Sequence, residues 1–166
     1  MSAQDPRGTA LVPRHPGAPD ALDDLAMQKL WLATQRRPWR SLAIIAGSKG
    51  LSTIEVANLF AKIAWWYRGT PTCVVDLRDT GLRLVEHQLR EVASQMQDGQ
   101  RVIVALRSIF ENPTTIEVAS VTDAAILCVH LGETKMAAAE RTVAEIGRDK
   151  FIGSVILRDP RERPRT

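Results

Sequence analysis

Residues 41–53 read Ser41-Leu42-Ala43-Ile44-Ile45-Ala46-Gly47-Ser48-Lys49-Gly50-Leu51-Ser52-Thr53, and the order of residue types in them decides the fold. Nothing in the first six residues alternates between apolar and polar, so they make a strand covered on both faces, as in a parallel sheet. Two glycines follow, then two hydroxyl residues, then a long apolar run of helix formers. Strand, glycine turn and helix in that order are the first half of a β-α-β unit. Residues 72–76, 101–105, 124–130 and 152–157 repeat the strand signal. Between them, residues 52–67, 82–96, 115–120 and 134–147 carry helical periodicity or good helix formers. The alternation predicts an α/β fold, a three-layer doubly wound sandwich with a mostly parallel sheet.

The chain has 166 residues, 45% of them hydrophobic and 25% charged, which is the composition of one ordinary globular domain. A chain of this length buries enough surface to fold without staples or metals. Residues 1–20, with Pro6, Pro13, Pro16 and Pro19, show no periodicity and read as a disordered tail. An amphipathic helix is expected over residues 21–37, before Pro38, and residues 158–166 read as a basic, solvated tail. The single domain therefore covers residues 21–157. No apolar run approaches the roughly 20 residues of a membrane span, and the start lacks the apolar core of a signal peptide, so a cytoplasmic protein is expected. Cys73 and Cys128 lie in apolar runs and read as reduced thiols. His15, His87 and His130 have no metal-ligand spacing, so no metal site is expected. A net charge of +3 does not call for nucleic acid by itself, although the isoelectric point is about 9.2.

Ligands of open parallel sheets bind beyond the carboxyl ends of the strands, which directs attention to residues 46–53. Gly47 and Gly50 permit positive φ and close backbone approach, and Ser52 and Thr53 are able to cap a helix whose first amides favour an anion. The architecture is that of a phosphate cradle. A working P-loop needs lysine directly after its last glycine, and Leu51 stands there; the glycine that opens the pattern would fall at Ile45. Lys49, just before Gly50, is the one loop cation placed to swing in, although such lysines ordinarily project into water.

On these residues the sequence resembles the MinD/ParA superfamily of deviant P-loop ATPases, closest to the CpsD/CapB-like bacterial tyrosine kinases of exopolysaccharide export. The resemblance covers roughly residues 22–157. Ser52, Thr53, Ala57, Asn58 and Leu59 match the family's loop and first helix, and Asp76 and Arg78 match its second Walker motif, whose aspartate works on magnesium. Residues 101–109 are similar to the Walker B strand, but Ala105 stands where its carboxylate should be. Residues 123–157 are similar to the family's later strands and its threonine-capped helix. The deviant-loop signature lysine position is Ala46. The region between Asp76 and Val102 is shorter than the family's, and Tyr67 is the sole tyrosine, so tail autophosphorylation has no substrate.

Each missing interaction with a transferring phosphoryl group ordinarily costs on the order of a hundredfold in rate, so no catalytic residue is assigned. Gly47, Ser48, Lys49, Gly50, Ser52, Thr53 and Asp76 are expected to form a vestigial phosphate and magnesium site with weak or absent ATP binding. Asp76 alternatively caps the turn after its strand. Residues 54–66 are apolar around the whole helix; Trp65 and Trp66 either both pack under the first helix with Trp31 and Trp39, or one is exposed to a partner. Ala137, Ala138 and Ala139 imply close packing on the sheet. The resemblance implies an inactive regulatory or scaffolding subunit in exopolysaccharide synthesis, docked to a membrane-bound co-polymerase or synthase, or homodimeric. It would be cytoplasmic and peripheral to the inner membrane through that partner. The alternatives are a divergent active ATPase or kinase using Lys49 and Asp76, and a ParA-like DNA binder.

Overall fold

A computed structural model of the chain describes residues 25–158. Helix α1 spans Leu25–Thr34, followed by β1 Ser41–Ala46, α2 Ile54–Arg68, β2 Thr72–Asp76, α3 Val85–Gln97, β3 Arg101–Leu106, α4 Thr114–Val121, β4 Ala124–His130, α5 Met136–Ile146 and β5 Phe151–Leu157. A single turn of 3-10 helix, Arg148–Lys150, leads into β5. The five strands form one parallel sheet in the order β2-β3-β1-β4-β5. The expected α/β sandwich and its five strands are present, with β3 running one residue further, to Leu106, and β5 starting one residue earlier.

Uninterrupted apolarity in β1 follows from its place in the sheet, where it pairs with β3 on one side and β4 on the other. All six of its residues are buried. Its even-numbered side chains, Leu42 and Ile44, join Ile103, Ala105 and Ile126 under Trp31 of α1 and Phe60 and Ile63 of α2. Ala43 and Ile45 face the opposite layer, where Val85 and Val92 of α3, Val118 of α4 and Ile146 of α5 pack. The chain moves one way along the sheet through α2 and the other way through α3, α4 and α5. These helices lie on opposite faces, as one hand of crossover requires. The carboxyl end of β1 therefore sits at the switch point of the sheet.

The first helix ends at Thr34, three residues before the expected limit, and residues 21–24 lie outside the described residues. Backbone amides of Gln35 and Arg36 turn back onto Leu32 and Ala33, and the Trp39 indole donates to the Thr34 carbonyl at 3.2 Å. That bond satisfies one of the carbonyls a helix end leaves open, and draws Trp39 edge-on against Trp31 at 6.5 Å between ring centres. The tails expected at residues 1–20 and 159–166 lie outside the described residues. In α5 the alanines do not all meet the sheet: Ala139 is buried with Thr142 and Ile146, while Ala137 is exposed. The burial follows the three- and four-residue spacing of a helix face, which consecutive alanines cannot share.

The amino ends of β1 and β4 are clamped by Asp123. Its carboxylate accepts from the Arg40 amide at 2.7 Å and the Ser41 amide at 3.0 Å, and its own amide donates to the Ser41 hydroxyl at 2.9 Å. Burial pushes the Asp123 carboxyl up, but the Arg40 and Ser41 amides, the Ser41 hydroxyl and the Lys150 charge together hold it below the usual carboxylate value. Asp123→Ala is expected to destabilise the fold by about 1–3 kcal/mol, because the buried Ser41 amide loses its acceptor. Because the folded carboxyl binds its proton less readily than the unfolded one, the difference between wild type and variant is full above the unfolded pKa. It vanishes as pH falls through the lower folded value. Urea unfolding at neutral pH and in acid measures both.

Candidate functional site

Beyond the carboxyl ends of β1, β2 and β3 the loop 47–53 meets the turn after β2, the β3–α4 connection and the β4–α5 connection. The Gly47 amide donates to the Cys128 carbonyl at 2.8 Å, prolonging the pairing of β1 with β4. A Cβ on Gly47 would come within 2.9 Å of that carbonyl oxygen, so only glycine fits without a shift of backbone. At Gly50, φ is +79°, the left-handed conformation that glycine adopts without strain. These two glycines shape the loop as the sequence predicts.

The hydroxyl groups of the loop, however, are engaged by the protein itself. The Thr53 hydroxyl is buried and donates to the Leu106 carbonyl at 2.8 Å, tying the start of α2 to the end of β3. Ser52 donates to the Glu55 carboxylate at 2.6 Å, which holds that carboxyl below its ordinary value. Neither hydroxyl caps α2, and Thr134 does not cap α5: its Oγ1 accepts from the His130 amide and lies 2.8 Å from Ser48 Oγ. Competing partners account for this: strand-end backbone groups engage Thr53 and Thr134, and the Glu55 carboxylate engages Ser52. Of the expected site residues, Lys49 and Gly50 are exposed, and Leu51, where the phosphate lysine would stand, packs against the core on the α2 side. Ala105 lies fully buried in that same core.

Asp76 is engaged on both carboxylate oxygens by Arg78, through Nε and Nη2 at 2.8 Å each, and accepts from the Arg78 amide at 3.2 Å. The Arg78 contact is the main reason its carboxyl sits below the usual value, and it raises Arg78 in return. This is the turn-capping geometry. Arg78 also reaches Ser52 Oγ at 3.3 Å, so the second strand's turn is fastened to the glycine loop.

Three residues that the sequence did not single out complete the site. Glu111 Oε1 accepts from the Gly50 amide at 3.2 Å, so the protein's own carboxylate sits on the exposed amide of the loop. Arg107 lies 3.9 Å from that carboxylate and donates to Asp79 at 2.7 Å. Asn112 holds the turn after β2 by donating to the Arg78 and Thr80 carbonyls at 3.1 and 2.9 Å. Arg78, Asp79, Thr80, Arg107, Glu111 and Asn112 line a cleft of about 440 Å³ beside the loop. Only the four-residue spacing of Arg107 and Glu111 hinted at a pair, and nothing in the sequence told that the glycine loop would be their neighbour.

Trp65 is 56% exposed, which overturns the arrangement in which both tryptophans of α2 pack under α1. Trp31 and Trp39 pack there with Phe60, while Trp66 is half-buried beside Trp65. His130 does stand at the carboxyl end of β4, its Nδ1 3.3 Å from the Glu133 carboxylate. Among the described residues no cluster of His, Cys, Asp and Glu is arranged to hold a metal ion, and no helix is long and apolar enough to cross a membrane. A scan of protein-family models and a search of curated proteins each found no match to this chain.

Proposed function

We propose that this chain is a nucleotide-independent binding domain, a P-loop-like scaffold in which the phosphate cradle has become part of the structural framework. The observation that carries the reading is the Glu111 carboxylate on the Gly50 amide. A triphosphate would bring further negative charge to that position, and the hydroxyl and carboxylate expected to meet magnesium are bonded to Leu106 and Arg78. The residues present do not fit a magnesium nucleotide: an apolar side chain replaces the lysine and a buried methyl replaces the second carboxylate. What remains is a rigid sheet with fixed surfaces.

The likeness of residues 22–157 to the exopolysaccharide tyrosine-kinase branch supports placing the scaffold beside a membrane-bound co-polymerase or synthase, at the inner face of the membrane. Purified protein titrated with Mg-ATP is expected to bind more weakly than millimolar by calorimetry. Micromolar affinity overturns the reading and restores the alternative, an active ATPase of the MinD/ParA type.

A further inference from the structure

The pole of the sheet opposite the cradle holds an unbalanced charge. Helices α1 and α2 both end there, next to the amino ends of all five strands, and the chain places Arg36, Arg37, Arg40, Arg68 and Arg101 around those ends. Arg40 and Arg101 line one cleft with Thr70 and Asp123; Arg68 lines a neighbouring one with Leu32 and Tyr67. Arg101 lies over the Trp39 ring at 4.7 Å and donates to Gln35 at 3.3 Å, so its guanidinium sits just beyond the end of α1. Burial lowers the Arg101 pKa, and the charge on Arg68 lowers it further. Neither Arg36 nor Arg68 forms an ion pair with a described residue. The acids at this pole are Asp98, Asp123 and Asp149, of which Asp123 is turned onto the β1 amides.

Apolar side chains rim the same pole. Leu32 is 61% exposed on the last turns of α1, and Trp65 and Tyr67 stand 56% and 46% exposed on the last turn of α2. Exposed arginines beside exposed tryptophan, tyrosine and leucine are what a membrane interface selects: the cations meet lipid phosphates while the rings and aliphatic tips enter the headgroup region.

We propose that this arginine pole, rimmed by Leu32, Trp65 and Tyr67, docks directly on an anionic lipid bilayer. The charge alone would suit a nucleic acid equally. Leu32 decides for lipid, because an exposed aliphatic side chain gains burial in a bilayer and nothing from a phosphodiester chain. The surface is remote from the cradle, so this inference does not depend on whether the cradle binds nucleotide.

Vesicle sedimentation and tryptophan emission test it with the full chain. Phosphatidylglycerol vesicles are expected to retain the protein and phosphatidylcholine vesicles to release it, with retention falling as salt rises. Each arginine at an anionic surface contributes about fivefold to partitioning, so Arg36→Glu/Arg68→Glu should weaken retention by more than tenfold. Vesicle binding should shift the emission to the blue, since Trp31 and Trp39 are already buried, Trp66 is half-buried and Trp65 is the most exposed indole. Trp65→Ser should remove most of that shift and leave the thermal unfolding curve unchanged. Absence of retention on phosphatidylglycerol at low salt, retention unaffected by the arginine variant, or an unchanged emission overturns the proposal. So does salt-sensitive retention of duplex DNA without vesicle binding, which would make the pole a nucleic-acid surface.

Discussion

Ala105→Asp, which places an acid where the resemblance to a Walker B strand calls for one, is expected to destabilise the protein severely rather than to create a magnesium site. Ala105 has no exposed surface and stands in register between Ile44 of β1 and Asp76 of β2. Its methyl group points into the layer filled by Phe60, Val56 and Ile44. A carboxyl group there would lose its water without gaining a donor, because the nearby Thr53 hydroxyl already serves the Leu106 carbonyl. Burying an unpaired polar group costs about 2–7 kcal/mol, more if it stays ionised, against a total stability of about 5–15 kcal/mol for an ordinary domain. Chemical denaturation of the variant measures the loss. Adding Leu51→Lys should deepen it, since Leu51 packs on the same core, and the double variant should not gain Mg-ATP binding. A folded Ala105→Asp protein that binds magnesium would show that the cradle persists as a working site, and the scaffold reading would fall.

The same two positions explain what the sequence does and does not disclose. Strand periodicity is a local property. A run such as SLAIIA has one way to bury every residue, and its interior place in the sheet follows from that. The glycine loop is equally local: Gly47 and Gly50 are where they are because one position lacks room for a Cβ and the other lies at positive φ. Leu51 and Ala105 read as missing charges for the same reason, each being a single residue at a fixed place in the motifs that the sequence resembles. The partners of the loop were not. Glu111 is 61 residues from Gly50 in the chain, and the meeting is made by the β3–α4 connection returning over β1. Hydroxyl groups misled as well, because Thr53, Ser52 and Thr134 have the sequence positions of helix caps while strand-end groups compete for Thr53 and Thr134 and the Glu55 carboxylate takes Ser52. The exposure of Trp65 was left open by the sequence, since an all-apolar helix does not say which side its partners cover. In the structure α1 covers the side bearing Phe60 and leaves Trp65 exposed.

Phe60→Ala is expected to cost about 3–5 kcal/mol, the loss expected on truncating a fully buried aromatic side chain. Phe60 has no exposed surface, and its ring lies 6.4 Å from that of Trp31, tilted by 42°. Removing it leaves a void bounded by Trp31, Ile63 and the β1 side chains, and the indole is too rigid and too tightly held by its neighbours to close it. Urea unfolding followed by far-ultraviolet circular dichroism measures the loss, and Phe60→Leu should recover more than half of it by refilling most of the space. The consequence extends to both ends of the helix. Phe60 lies midway between Thr53, which fastens the cradle to β3, and the Trp65–Arg68 turn at the arginine pole. It is therefore the contact that sets the position of two surfaces on opposite ends of one rod. In the folded fraction of Phe60→Ala, the Trp65 emission shift on phosphatidylglycerol vesicles should weaken even though no arginine has been altered. A cost below 1 kcal/mol would mean that α2 is held by its ends rather than by its centre, and the rigid link between the poles would have to be abandoned.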